Sequence, residues 1–293
     1  MLTLTRARTD EDLEDYRTVF QVVLPDDRCP SVADLRRTLG HRDRRVLLIV
    51  REDGELVGTG LFDQSDEVGR AATAARVLPA YRRRGHGSVI LEQLLDLARD
   101  AGFTRVGAGT DDDGSAEFAL LHGFVETDRQ VEQVRRIGDE PWPDPVPGIE
   151  VFSIEERPDL WERAFDEVAL DTVGVMVASG EFHLVREEWS ELWMDSPAST
   201  WAAVDGDLVV GVAGLMSPDR PGRAEHTFTG VRHDHRGRGI ALLLKRMCLA
   251  WAAENGLDQV ITWTQERNDG MRAVNEKLGF EYGIVSRQMT REL

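Results

Sequence analysis

The sequence says the same thing twice, and that repetition limits the folds open to it more than any other feature. Arg82-Arg83-Arg84-Gly85-His86-Gly87 is echoed by Arg236-Gly237-Arg238-Gly239-Ile240-Ala241. Five residues before each stands a valine, Val77 or Val231, that closes a strand-like stretch. Each glycine turn opens an amphipathic helical pattern, over 86–101 and 240–255, with Val89, Ile90, Leu94, Leu97 and Ala98 at helical spacing in the first. Both patterns stop at a glycine, Gly102 or Gly256. A β-like run follows in each half, at 104–110 and 259–264, and then a short helix ending in Leu121-His122-Gly123-Phe124 or Lys277-Leu278-Gly279-Phe280. Four landmarks repeated in one order predict a duplicated domain.

Between the copies, the stretch from Gly138 to Gly148 carries prolines at 141, 143, 145 and 147, which neither a helix nor a central strand accommodates. The expected organisation is therefore a first domain at 1–138, a semi-rigid linker at 139–148 and a second domain at 149–293. Strands alternating with helices place both in the α/β (α+β) class.

With 53 acidic and 35 basic residues, the formal net charge is −18, a field that repels phosphate backbones and anionic membranes. Nucleic acid and membrane partners are not expected. Only Lys245 and Lys277 are lysines, leaving 33 arginines, which reads as coding bias rather than an arginine-based function. The two cysteines, Cys29 and Cys248, make neither a disulfide scaffold nor a zinc site, so no metal is expected. With no apolar leader and no membrane-length apolar run, a soluble cytoplasmic protein is expected.

A strand, a tight glycine turn and a helix N-terminus together make an anion cradle: the first helical amides lack internal acceptors, glycine lets the ligand approach, and arginine adds forked donors. A dinucleotide-binding fold competes for this pattern, but its glycine fingerprint follows the first strand, whereas these turns lie in mid-domain.

At these residues the sequence resembles the GCN5-related N-acetyltransferase family, whose signature Gln/Arg-x-x-Gly-x-Gly/Ala binds the pyrophosphate of acetyl-CoA. Arg82-x-x-Gly85-x-Gly87 and Arg236-x-x-Gly239-x-Ala241 both match it, and Gly123-Phe124 and Gly279-Phe280 fall where that family ends its fourth helix. The resemblance implies two tandem domains, each a mixed, mostly antiparallel sheet flanked by helices, with acetyl-CoA as co-substrate. It implies a cofactor set of Val231, Arg236, Gly237, Arg238, Gly239, Ile240, Ala241 and Asn268 in the second half. In the first half the matching residues are Val77, Arg82, Arg84, Gly85, His86 and Gly87, with Asp112 where the second has Asn268.

The resemblance also implies a general base six residues before the valine. That position is Glu225 in the second half and Ala71 in the first, so chemistry is expected in the second domain, the first being structural or binding acetyl-CoA without turnover. The family's acid, a tyrosine, is replaced by Ala119 and Asn275, which leaves thiolate protonation to Tyr282, to water or to another donor. Trp189 and Trp193 lie one helical turn apart beside Glu187, Glu188, Glu191 and Asp195, either as an aromatic wall for a cationic amine or as a stripe packed on the core. The expected activity is acetyl transfer to a primary amine of a small molecule, by a monomer or homodimer. The alternative is a non-catalytic acyl-CoA-binding module.

Overall fold

The computed structural model describes residues 1–25, 27, 29–41, 45–65, 69–172, 186–194, 196–216 and 222–293. Two compact units result, one of residues 1–127 and 287–293, the other of residues 128–286.

In the first unit, β1 (Leu2–Arg6), β2 (Val46–Glu52), β3 (Glu55–Gln64), β4 (Arg70–Val77) and β5 (Arg105–Thr110) follow one another across the sheet. The strand beside β5 is the end of the chain: Arg287–Glu292 of β12 (Glu281–Glu292) pairs antiparallel with it. Only β4 and β5 run parallel, and they pair over just three residues, Arg70–Ala72 against Arg105–Gly107, before parting. The helix His86–Asp100 lays Ile90, Leu91, Leu94, Leu95 and Ala98 on one face of this sheet. The helices Asp10–Val23 and Val32–His41 cover the other face, through Leu13, Tyr16 and Leu35. Met289, 1% exposed, belongs to the first of these cores, so the chain's last strand helps to bury it.

The second unit repeats the plan. Its sheet takes in residues 130–136 of β6 (Val125–Arg136), followed by β11 (Gln259–Gln265), β10 (Arg223–Val231), β9 (Leu208–Met216), β8 (Thr200–Asp205) and β7 (Glu150–Ser153). Each unit thus closes its sheet with a strand that lies, in sequence, in the other half of the duplication. This division differs from the linker-bounded halves expected from the sequence. The proline-rich stretch is also docked rather than free: Trp142 Nε1 donates to Glu254 Oε1 at 2.7 Å, and its ring meets Trp201 edge-on at 5.5 Å.

The helix Ile240–Glu254 covers one face of the second sheet, with Leu243, Leu244, Cys248 and Leu249 packed on Ala213, Leu215, Ala224 and Val260. On the opposite face lie Trp161, Phe165, Trp189 and Phe228. Trp161 and Trp189 stack at 4.3 Å with an interplanar angle of 13°, and Trp189 is fully buried. Trp189 is therefore core, its stacking and burial outweighing any role as a solvent-facing wall. Trp193 packs edge-on against Phe228 at 5.8 Å. The side chains of Glu187, Glu188 and Glu191, and all of Asp195, lie outside the described residues.

Candidate active site

The second unit holds a cavity of about 550 Å³ where β10 and β11 part. The two strands pair in parallel only from Arg223↔Gln259 to Glu225↔Ile261. His226 and Thr262 are the first residues beyond the pairing, and both line the cavity. A bulge between His226 and Thr229 in the β10–β9 ladder marks the same point. Two parallel strands that separate leave unpaired main-chain donors and acceptors facing the gap, ready for an extended amide-bearing chain.

At the far end of β10 the chain turns through Arg236–Gly239 into the helix Ile240–Glu254. Gly237 and Gly239 hold φ +77° and +83°, in the left-handed region where a side chain is strained, and a Cβ at either would stand in open space. Leu243 N–H makes the first helical bond, to Gly239 O at 2.9 Å, so the amides of Ile240, Ala241 and Leu242 have no acceptor within the helix. Among the described residues, those of Gly237, Arg238 and Gly239 also meet no acceptor. Arg236 Nε donates to Val231 O at 3.0 Å and locks the turn to the strand end. The outcome is a ring of free N–H groups at a helix N-terminus, open to a bulky anion, with Arg236, Gly237, Gly239, Ile240 and Ala241 lining the cavity.

The lining is basic. It includes His235, Arg236, Lys245 and Lys277 and, among the described residues, no carboxylate, although 53 of the 293 residues of this chain are acidic. Asn268 lines it too while capping the next helix, its Oδ1 accepting from Met271 N at 3.2 Å.

Several of the residues singled out from the sequence lie elsewhere. Arg238 is drawn away from the turn by Asp205, Nη1 to Oδ2 2.8 Å, and does not line the cavity. Tyr282 is half exposed and donates its hydroxyl to Glu276 Oε1 at 2.5 Å, an arrangement that raises its pKa; it too is absent from the lining. Asn275 is fully buried and its amide donates to Gln133 Oε1 (2.8 Å) and Thr264 Oγ1 (3.2 Å), so it ties β6 to β11 instead of facing a ligand. Glu225, partly buried, is the last paired residue before the strands part. Strand alternation sets it on the sheet face opposite Ala224 and His226, which share the side covered by the helix Ile240–Glu254.

Among the lining residues that the sequence did not single out are His226, whose pKa burial and the charge of Lys245 hold well below 6.5, and Lys245, which burial pushes down to about 7. A single lysine inside an apolar helical run was the available signal for the second.

The first unit carries the same turn with different detail. Arg82 Nε donates to Val77 O at 3.1 Å, matching Arg236, and Gly85 holds φ +86°. The position of Gly237, however, is Arg83, strained at φ +63°. Gly87 is overlain by the Phe118 ring, which a Cβ there would meet at 3.4 Å, with Val77 3.9 Å away. Arg84 donates to Ala80 O, and the buried His86 lies 3.4 Å from Glu52. Asp112 caps the helix Asp113–Leu121, accepting from the Ser115 N–H at 2.9 Å. Burial alone would raise its pKa, but the hydrogen bonds from Ser115 outweigh that and lower it.

Known proteins resemble this chain in sequence and in fold. The sequence model of the acetyltransferase (GNAT) family matches residues 9–124 and again 159–280. A mycothiol acetyltransferase of Geodermatophilus obscurus is 31% identical, over 80% of this chain and 79% of its own length. That of Amycolatopsis mediterranei is 27% identical over 92% of each. Among solved structures, a tandem GNAT protein from the clavulanic acid biosynthesis pathway superposes with a TM-score of 0.80 at 21% identity, over 100% of this chain and 98% of the other. A GCN5-related N-acetyltransferase from Sphaerobacter thermophilus gives 0.76 at 19%, over 99% and 95%. These last two likenesses bear on the fold.

Proposed function

Because the chain belongs to the acetyltransferase (GNAT) family and is an acetyl-CoA-dependent N-acetyltransferase, we propose that it transfers the acetyl group to a primary amine of a small molecule, with the chemistry in its second unit. The observation that carries this reading is the cavity running from the glycine turn to the fork of β10 and β11, basic and, among the described residues, without a carboxylate. The similarity to proteins named mycothiol acetyltransferase supports a small-molecule acceptor.

Acetyl-CoA supplies an activated acyl group as a thioester. The amides of residues 237–241 hold its diphosphate, with Arg236 beside them, and the parted edges of β10 and β11 hold the amide-bearing arm, so that the acyl carbon comes to rest near the fork. Fixing donor and amine in this way removes much of the entropic barrier to reaction. Glu225, at the fork and on the face away from the helix Ile240–Glu254, accepts the proton that the attacking amine must lose, directly or through water. Arg83 in place of a glycine and the Phe118 ring over Gly87 leave the first unit poorly shaped for the same ligand.

The test is thiol release from acetyl-CoA in the presence of a panel of small primary amines, run beside calorimetric titration of the coenzyme. Binding with amine-dependent thiol release is expected. Binding without release for any amine would favour a non-catalytic acyl-CoA-binding module, the reading that the displaced Tyr282 and buried Asn275 would then support.

A further inference from the structure

Lys245 is 1% exposed on a helix whose neighbouring buried positions are apolar, and it lines the cavity. Its Nζ lies 5.5 Å from the centroid of the Phe280 ring. His226 packs against the same ring, at 6.2 Å between centroids, and is 5% exposed. The His226 Nδ1 lies 3.3 Å from Gly214 O, while its buried Nε2 has no partner. Among the described residues, no acceptor or carboxylate meets the Lys245 ammonium. A buried amine without a counter-charge is costly, and a fold keeps one only where something offsets that cost.

The fold itself does not require these two groups. Counting from the arginine of each turn, the first unit has Leu91 where the second has Lys245, and Ala72 where it has His226. Leu91 is buried in an apolar core, as its helix demands. Arginine fills 33 of the 35 basic positions, yet both lysines line this cavity. A compact ammonium suits a narrow space that a planar guanidinium does not fit.

Position gives the pair a ligand. Lys245 stands five residues beyond Ile240, about 7.5 Å further along the helix from the glycine turn. It meets His226 at Phe280, by the fork where β10 and β11 part. A coenzyme whose diphosphate rests on the turn extends its acyl end toward that fork. We propose that Lys245 and His226 form a carboxylate-binding subsite at the acyl end of the cavity, fitted to a short acyl thioester that ends in a carboxylate. This rests on the reading that the cavity holds acyl-CoA. A carboxylate there supplies a counter-charge and an acceptor for the lysine, whereas an uncharged acyl chain of equal length supplies neither.

Calorimetric titration of the full-length protein with succinyl-CoA, butyryl-CoA and acetyl-CoA tests this, because the first two have acyl chains of equal length and differ by one charge. The wild type is expected to bind succinyl-CoA at least about tenfold more tightly than butyryl-CoA, and Lys245→Met to bring that ratio close to one. Equal wild-type affinity for succinyl-CoA and butyryl-CoA, with acetyl-CoA bound, overturns the subsite and leaves the cavity's assignment standing. If none of the three thioesters binds, the assignment itself fails. The wild-type comparison is decisive even if the variant does not fold.

Discussion

Replacing Gly239 by valine is expected to weaken acetyl-CoA binding by roughly 100-fold or more, since it disorders several charge-assisted N–H contacts at once. Gly239 holds φ +83°, and a Cβ there meets nothing, so the penalty is conformational and not a clash. A β-branched residue in the left-handed region costs about 1–3 kcal/mol, which the turn relieves by rotating its amides away from their common focus. The control lies in the same molecule. Gly85 has nearly the same φ, +86°, and the same open surroundings, so Gly85→Val carries a similar stability cost. Thermal unfolding should therefore register comparable losses for the two variants, while calorimetry finds the coenzyme lost only for Gly239→Val. Equal retention of binding in both variants would remove the turn from the site.

The second large effect belongs to Glu225. Glu225→Gln keeps the shape of the side chain and the β10 ladder but cannot accept a proton, so kcat is expected to fall by roughly 100-fold to 10,000-fold near neutral pH. KM for acetyl-CoA should change little, because Glu225 does not line the cavity proposed for it. The corresponding Ala71 of the first unit is fully buried, which agrees with a unit that carries no proton chemistry there. Steady-state rates with a saturating amine across pH decide the matter. Unchanged turnover in Glu225→Gln would place the base elsewhere.

Local signals carried much of the fold. Apolar periodicity and the glycine stops placed the helices His86–Asp100 and Ile240–Glu254 to within a residue, and the strands β5 and β11 likewise, because caps and periodicity are properties of neighbouring residues. The glycine turns were legible for the same reason. Strand partners were not. β6 and β12 have similar length, and nothing in either says that Arg287–Glu292 joins β5 while 130–136 joins β11, since sheet pairing is decided by long-range contacts such as the burial of Met289.

The site was legible in part. The positive-φ turn at Gly237 and Gly239 and the helix start at Ile240 follow the motif's spacing, but side chains followed charges invisible to spacing: Asp205 holds Arg238, and Glu276 holds Tyr282 at the surface. Lys245 stood out in the sequence only as one of two lysines, because a lysine in an apolar helix ordinarily snorkels to solvent, and only the packed structure reveals that this one does not.

The central claim, that free main-chain amides of one turn seat the coenzyme, is tested most directly by a crystal structure with acetyl-CoA bound. Diphosphate density within hydrogen-bonding distance of the amides of residues 237–241, with the thioester lodged between β10 and β11, is the expected result. Coenzyme seated on another surface of the protein, with that turn left facing solvent, would contradict it.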